Sequence, residues 1–352
     1  MSVVTTDNSV NTTVRLVTPP RYVITSTSND VVIYCEIVFS FLLTPLLCLL
    51  GVVGNVLNVI ILRHHGLRDK VNILLLSISV CDLFFSLSQL VIQVNRFIRF
   101  ATPAMALTLT SFVNLYVLPV NQTCFSISIC HVTTIAIERL VAVCFPFHVS
   151  RIFTQFRLKI CVVFLFVYPI VMTTPTFLNY EIRWVRNPTY NITVATLSES
   201  SLNLNTYESF NIFNLYVVGN LLSTVPPTMI LGSSIVIALT IAVKRKEFSG
   251  SIGAANLATK SLKEKKMFKM LLTICLLSLV VCFPTSVLDM YNSYGMTSSA
   301  LVRTYQILRS LLSQINASAN FIIYVTMSTK FAKTYRSLMS GLQCRELSHA
   351  GI

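Results

Sequence analysis

Seven apolar segments recur along this chain, each close in length to a helix that crosses a membrane. Such a helix needs about 20 apolar residues. Only 11% of the 352 residues are charged, whereas soluble domains carry about 25%. We therefore predict an all-α membrane protein, a seven-transmembrane helix bundle. Its spans have the approximate bounds Tyr34–Leu62, Val71–Phe97, Ser111–Phe145, Leu158–Leu178, Ile212–Val243, Leu262–Met290 and Arg303–Met327.

The basic residues predict the orientation of this bundle. Nineteen of the 27 Lys and Arg residues lie on one side of the membrane, in Arg63–Lys70, Arg139–Lys159, Lys244–Lys269 and the tail from Lys330. Cytoplasmic segments carry such an excess, so we place the N-terminus outside, in a multi-pass protein of the plasma membrane. The net charge of +14 is explained by this topology, and the basic residues on the inner side would also attract anionic inner-leaflet lipid. Nucleic acid is therefore not expected as a partner.

Three parts follow from this topology: a flexible extracellular tail (1–33), the membrane domain (34–328) and a membrane-surface helix with a short cytoplasmic tail (329–352). The polar N-terminus lacks the pattern of a cleavable signal peptide. Asn11 and Asn191 begin outward sequons for glycosylation. Thr329–Leu342 has apolar residues at helical spacing, with basic residues between them, as in a short amphipathic helix. Cys344 follows it and is a candidate for palmitoylation, with an unmodified cysteine as the alternative.

One carboxylate, Asp82, falls inside the second apolar segment. A carboxylate in the bilayer must find hydrogen-bond donors, take up a proton or hold a cation. A bundle that gathers Asn55, Ser128, Asn316 and Asn320 around it would supply oxygen ligands for a small hard cation such as Na⁺. The alternative is that these side chains only form interhelical hydrogen bonds.

A charged pair, Glu138-Arg139, ends the third apolar segment, and Glu264 stands at the inner end of the sixth. Arg139 could pair with Glu264 and lock the two helices together, or it could extend to the membrane surface with its neighbour as counter-ion. Pro284 lacks an N–H and kinks the sixth helix. A kinked helix held by one breakable ion pair is a two-state element.

With these residues in place, the chain resembles the rhodopsin-like (class A) G-protein-coupled receptors, over roughly Tyr34–Cys344. Single motifs are common, but their order, one per span, is specific. The finer resemblance is to invertebrate peptide and chemosensory receptors. The motifs are Asn55 in GVVGN, Asp82, Glu138-Arg139-Leu140 in place of Asp/Glu-Arg-Tyr, Pro146, Pro226 (or Pro227), Cys282-Phe283-Pro284, Asn320–Tyr324 in place of NPxxY, and Phe331.

The resemblance implies a switch at the inner face. Arg139 would engage the Gα C-terminus of a heterotrimeric G protein, Phe147 would enter a pocket of Gα, and Tyr324 would move inward. Cys282, Phe283, Pro284 and Pro226 would form the activation kink. Asp82, Ser128, Asn316 and Asn320 would form a pocket for Na⁺ as an allosteric ion, with no other cofactor. Arrestin is a further implied partner, although the tail after Leu342 has few Ser or Thr and predicts weak recruitment.

The sequence departs from that family at the outer face. Asn114 occupies the place of the usual third-span cysteine, and Asn179–Asn211 has no cysteine. We therefore expect no extracellular disulfide within the chain and a less constrained outer loop. Phe321 replaces the usual proline of the seventh span, and Cys282 the usual tryptophan of the sixth.

The outer halves of the helices are expected to bind the extracellular ligand. Asn121 stands where amine receptors have Asp, and Gln314 stands where opsins have the retinal lysine, so neither a biogenic amine nor retinal is expected. A short peptide and a small polar chemosensory molecule both remain open. The candidate residues are Gln93, Arg96, Asn121, Gln122, Phe125, Thr285, Asp289, Gln306, Ser310 and Gln314.

No phosphate-binding loop, HExxH motif or Ser/His/Asp group indicates an enzyme. Two other functions remain open beside the receptor. One is an ion-translocating or transporter-like protein that uses Asp82. The other is a receptor relative that binds its ligand without signalling.

Overall fold

The computed structural model describes residues 33–34, 36–188, 190–200, 209–210, 212–248, 258–293 and 299–349. Nine helices and one hairpin occur in these ranges. In chain order they are α1 (Glu36–His65), α2 (Lys70–Ala101), α3 (Pro103–Cys144), α4 (Val149–Ile152), α5 (Gln155–Asn179), β1 (Tyr180–Asn187), β2 (Ile192–Glu199), α6 (Phe213–Thr224 continued by Val225–Phe248), α7 (Ala258–Ser293), α8 (Ser299–Met327) and α9 (Thr329–His349).

The helices α1, α2, α3, α5, α6, α7 and α8 form the predicted bundle. Within the described ranges, six of them are long and apolar enough to cross a membrane. The exception is α8, whose 29 residues include several amides and hydroxyls. Gln314, Asn316 and Asn320 of this helix are each at most 2% exposed. These polar side chains of α8 therefore face the other helices, together with apolar residues such as Leu311 and Tyr324.

The third helix begins earlier than the predicted Ser111. It starts at Pro103, where a proline is compatible with the first helical turn, and it contains a π-helical turn at Val113–Val117. Pro119 has no N–H to donate to the Leu115 carbonyl, which accounts for a widened turn at this place. The added turns pack against the outer part of α2 and against β2.

The outer loop contains a two-stranded antiparallel hairpin that the sequence analysis did not predict. Tyr180 pairs with Glu199, and the register runs to Asn187 opposite Ile192. The turn includes Asn191 at φ 52°, a conformation that asparagine tolerates better than most residues. The second strand is rich in β-branched residues, which favour strands. The fold is thus all-α in the membrane with a β-hairpin outside it.

An apolar core fills the inner half of the bundle. Its members include Ile78, Ile135, Leu271 and Tyr324, all at most 1% exposed. In the outer half, α1 approaches its neighbours closely at a glycine. A Cβ at Gly51 would lie 2.5 Å from Ser86 Oγ and 2.6 Å from Gln314 Nε2. Small residues permit such close helix contacts in membranes.

The last helix, α9, is longer than the predicted Thr329–Leu342, since it continues to His349. Phe331 is 2% exposed, and its ring centre lies 5.6 Å from that of Tyr324. His65 at the end of α1 is hydrogen-bonded to Thr334, at 2.9 Å. These contacts fix the start of α9 against the bundle. The side chain of Cys344 lies outside the described side chains, as does the whole of Asn11.

Candidate functional site

Asp82 lies at the centre of a polar cluster that joins α2, α3 and α8. Its side chain is 2% exposed. Oδ1 accepts a hydrogen bond from Ser128 Oγ at 2.7 Å, and Oδ2 accepts one from Asn320 Nδ2 at 2.7 Å. The predicted grouping of these three residues is therefore present. Both partners are neutral, so the hydrogen bonds leave the charge of an ionised carboxylate uncompensated.

Asn316 and Asn55 lie around this cluster without contacting the carboxylate. Asn316 Oδ1 accepts a hydrogen bond from Ser278 of α7 at 2.8 Å. Asn55 Nδ2 donates to the carbonyl oxygens of Ala317 at 3.0 Å and Gly51 at 2.9 Å. Sequence reasoning missed Ser278, although a serine inside the apolar run of the sixth span was a usable signal. Of the predicted ligand side chains, Ser128 and Asn320 are the two that are hydrogen-bonded to the Asp82 carboxylate within the described residues.

At the inner end of α3, Arg139 forms an ion pair with its own neighbour. Nε lies 2.6 Å from Glu138 Oε2, but the N–H is not directed along a hydrogen bond. Arg139 is 8% exposed, and Lys70, Phe153 and Leu271 line the cleft beside it. The side chain of Glu264 lies outside the described side chains. The proposed contact between Arg139 and Glu264 therefore stays a prediction.

Pro146 and Phe147 form a turn directly after α3. Phe147 is 92% exposed, which leaves the whole ring available to a partner on the inner side. Tyr324, by contrast, is 1% exposed and packed within the inner core. The residues predicted to take part in coupling are thus divided between an exposed loop and a buried helix.

The predicted kink residues separate into two environments. Pro284 lies inside α7, where Cys282 is 2% exposed and packs near Ile129, while Phe283 is 39% exposed. Pro226 is buried in α6, and its carbonyl oxygen accepts a hydrogen bond from Thr133 at 3.4 Å. The buried cysteine thus occupies the interior side of the kink, and the phenylalanine points outward.

Four of the predicted ligand residues, on α2, α3 and α8, are each hydrogen-bonded to a residue of α2. Asn121 Nδ2 donates to Ser88 Oγ at 2.9 Å and to the Phe85 carbonyl at 3.1 Å. Gln314 Nε2 donates to Ser86 Oγ at 3.0 Å. Ser310 accepts a hydrogen bond from Gln89, a residue that sequence reasoning missed. We call this set the outer polar cluster; its residues are Ser86, Ser88, Gln89, Gln93, Asn121, Ser310 and Gln314.

Two polar atoms of the outer polar cluster have no hydrogen-bond partner within the described residues: Gln93 Nε2 and Gln314 Oε1. The two side chains are 1% and 0% exposed. Gln93 Oε1 accepts a hydrogen bond from Arg96 at 3.4 Å. A buried polar atom without a partner costs about 1–3 kcal/mol. A ligand that bonded to these atoms would recover that energy.

Gln122, Phe125, Thr285 and Gln306 form no hydrogen bond with the outer polar cluster within the described residues. Gln122 and Gln306 are exposed. Phe125 packs against Phe85, with 5.5 Å between ring centres, and Thr285 donates to the carbonyl of its own helix at Cys282, at 2.8 Å. The side chain of Asp289 is outside the described side chains.

Residues 54–324 match the family described as 7 transmembrane receptor (rhodopsin family). The chain therefore belongs to this family of multi-pass plasma-membrane receptors, as the motif order predicted. Members are receptors and not enzymes.

The chain is similar to several characterised receptors. It is 23% identical over 302 residues to the FMRFamide receptor of Drosophila melanogaster, across 81% of this chain and 51% of that protein. It is 24% identical over 322 residues to the thyrotropin-releasing hormone receptor of Mus musculus, across 86% of this chain and 79% of that protein. A galanin-like G-protein coupled receptor of Caenorhabditis elegans is 24% identical over 326 residues, across 84% and 71%. The chain thus spans about half the length of the fly receptor.

Proposed function

We propose that this chain is a G-protein-coupled receptor that binds a short extracellular peptide and promotes nucleotide exchange on a heterotrimeric G protein. The outer polar cluster carries this proposal, because it holds buried amide groups with free hydrogen-bonding capacity. Two of the relatives are named for FMRFamide and thyrotropin-releasing hormone. These names favour a peptide over a small chemosensory molecule.

The peptide would enter between α2, α3 and α8. A peptide offers both carbonyl acceptors and N–H donors, so its amides supply a partner for the free Nε2 of Gln93 and another for the free Oε1 of Gln314. A site built to bond an amide discriminates strongly against ligands without one, since its own polar atoms are then left unpaired. The outer polar cluster would therefore recognise the amide groups of the ligand.

On the inner side, the exposed Phe147 would enter Gα, and Arg139 would follow once freed from Glu138. Asp82 and Ser128 would hold Na⁺ as an allosteric ion, whose positive charge would balance the carboxylate. The exposed Lys330 and Lys333 of α9 would bind anionic lipid of the inner leaflet. Arrestin would compete for the same inner face.

A nucleotide-exchange assay tests the proposal. The full chain, purified in lipid nanodiscs, is mixed with each Gα class and a library of short peptides in amidated and free-acid forms. We expect amidated peptides to accelerate exchange. Gln93→Leu should lose the peptide response and keep basal exchange, whereas Phe147→Ala should keep peptide binding and weaken exchange to a measurable residual level.

Three outcomes would contradict the proposal. Activation by small polar molecules alone would favour a chemosensory receptor. Peptide binding without exchange on any Gα would favour a relative that does not signal. Ion flux through proteoliposomes that requires Asp82 would favour the transporter alternative.

A further inference from the structure

The first inner loop, between α1 and α2, has three consecutive carbonyl oxygens that all accept hydrogen bonds from side-chain amides. Asn72 Nδ2 donates to the Gly66 oxygen at 3.1 Å. Gln155 Nε2 donates to the oxygens of Leu67 at 3.1 Å and Arg68 at 3.0 Å. Gln155 is the first residue of α5, so it directly follows the second inner loop. One amide group therefore connects the two loops.

The second inner loop carries Phe147, which has almost no packing of its own. The ring is 92% exposed, so its position depends on how the rest of the loop is held. Arg157 Nη1 donates to the Arg151 carbonyl at 2.9 Å and closes the single turn of α4. Phe153 packs against the inner core. These two contacts fix the loop on α5 and on the bundle, and Gln155 fixes it on the neighbouring loop.

We propose that Gln155 is a positioning residue for G-protein coupling: its amide fastens the second inner loop to the first, so that Phe147 is presented to Gα in one orientation. This inference rests on the proposed function. A loop that is already ordered loses less conformational entropy when the partner binds. Gln155 does not itself need to touch Gα.

Two substitutions of Gln155, one without N–H donors and one with them, show whether the donated hydrogen bonds matter or only the presence of a glutamine side chain. Gln155→Glu has the same size but no N–H to donate, and its carboxylate would face two carbonyl oxygens. Gln155→Arg keeps N–H donors. Basal nucleotide exchange by the full chain in nanodiscs is measured as Gα is titrated. We expect the half-saturating Gα concentration to rise roughly fivefold for Gln155→Glu, in line with the loss of exposed hydrogen bonds, and to stay within about twofold for Gln155→Arg.

A double-mutant cycle tests whether Gln155 acts through Phe147. In a Phe147→Ala background, Gln155→Glu should cause no further loss of coupling, because the group that it positions is gone. Lys159→Ala, an exposed change one turn along α5, is the matched control and should leave coupling unchanged. Additive losses would overturn the proposal, since they would mean that Gln155 acts independently of Phe147.

Hydrogen exchange of the receptor alone provides a readout that needs no G protein. The amides of residues 147–153 should exchange several-fold faster in Gln155→Glu and at the wild-type rate in Gln155→Arg. Suppose that hydrogen exchange is faster in Gln155→Glu but the wild type promotes no nucleotide exchange on Gα. That result would reject the proposed coupling and support the contact between the loops. Unchanged exchange rates in Gln155→Glu would overturn the inference itself.

Discussion

Asp82 places a carboxyl group among neutral partners inside the membrane. Ser128 and Asn320 each bond one carboxylate oxygen, but neither balances the charge, and a buried uncompensated charge is costly. We expect Na⁺ to stabilise the receptor at this site. The thermal midpoint of the purified chain should be higher in NaCl than in KCl, by the equivalent of about 1.4 kcal/mol at ten times the dissociation constant.

Two variants distinguish a bound ion from a general salt effect. Asp82→Asn keeps the shape of the side chain and removes its charge, so the difference between NaCl and KCl should disappear. Ser278→Ala removes the hydrogen bond to Asn316 beside the cluster, and it should keep that difference. Equal midpoints of the wild type in both salts would reject the ion site.

Arg139 forms an ion pair with Glu138 and is predicted to form one with Glu264. Each of these two partners can be removed separately. Glu138 lies 2.6 Å from its Nε, so Glu138→Gln should free the guanidinium and raise ligand-free nucleotide exchange several-fold. Glu264→Ala should also raise it, if the sixth helix is held by the same arginine. Exchange is measured per receptor at the cell surface. Unchanged exchange in Glu264→Ala, with normal surface expression, would leave Glu138 as the sole counter-ion of the switch.

At the scale of elements, the outer hairpin is attached to α3 by hydroxyl groups. Ser111 Oγ donates to the Ala195 carbonyl at 2.9 Å, and the Ala195 N–H donates to Thr108 Oγ1 at 3.2 Å. Ala195 is 0% exposed. Every cysteine whose side chain the structure describes is free. Two hydrogen bonds on one buried residue therefore hold β2 where the family usually has a disulfide.

Removing these hydroxyls should loosen the hairpin. The double variant Thr108→Val, Ser111→Ala should lower the free energy of unfolding by about 1–3 kcal/mol and speed hydrogen exchange of the β2 amides. Thr102→Val is the control, because its hydroxyl donates to the Ile98 carbonyl of α2 and not to the hairpin. A reducing agent should leave hairpin exchange unchanged in the wild type. Sensitivity to the reducing agent would indicate a covalent link.

In this region the sequence predicted that the helices exist, but it predicted less well where they begin and end. The predicted third span began at Ser111, so it left out Thr108 and Thr110. In the structure they are helical, because their hydroxyls bond to the hairpin and to Asn95 of α2. The hairpin is stabilised by its hydrogen bonds to α3. The periodicity of the sequence does not show contacts between segments that are far apart in the chain.

At the scale of the whole molecule, the apolar segments were sufficient to predict the helix bundle. The order of the motifs was sufficient to predict the family. Asp82, Ser128 and Asn320 were predicted to meet because each is polar within an apolar span, and such side chains turn inward to find polar partners. Gln155 had no such signal, since a polar residue at a loop is ordinary. Its partners, Leu67 and Arg68, are backbone groups far away in sequence, so only the folded structure shows the contact.

The orientation of the whole molecule can be tested through its sequons. Asn191 is exposed in the hairpin turn, and its Oδ1 accepts a hydrogen bond from Arg186 at 2.7 Å. A glycan attaches to Nδ2, so the contact with Arg186 can persist. Asn121 and Asn316 also begin sequons but are 6% and 2% exposed, within the bundle. An outward hairpin therefore predicts a glycan on Asn191 and none on these two.

Enzymatic deglycosylation of the full chain from eukaryotic cells measures this on a gel. Thr193→Val destroys the Asn191 sequon without changing the asparagine, and it should remove one glycan, as should Asn11→Gln for the tail. Thr123→Val destroys the buried Asn121 sequon and should change nothing, which makes it the matched control. If neither Thr193→Val nor Asn11→Gln changed the mass, the hairpin and the tail would not lie on the outer face. The inner position of Arg139 and Phe147 would then be wrong as well, because the same topology places them on the opposite side.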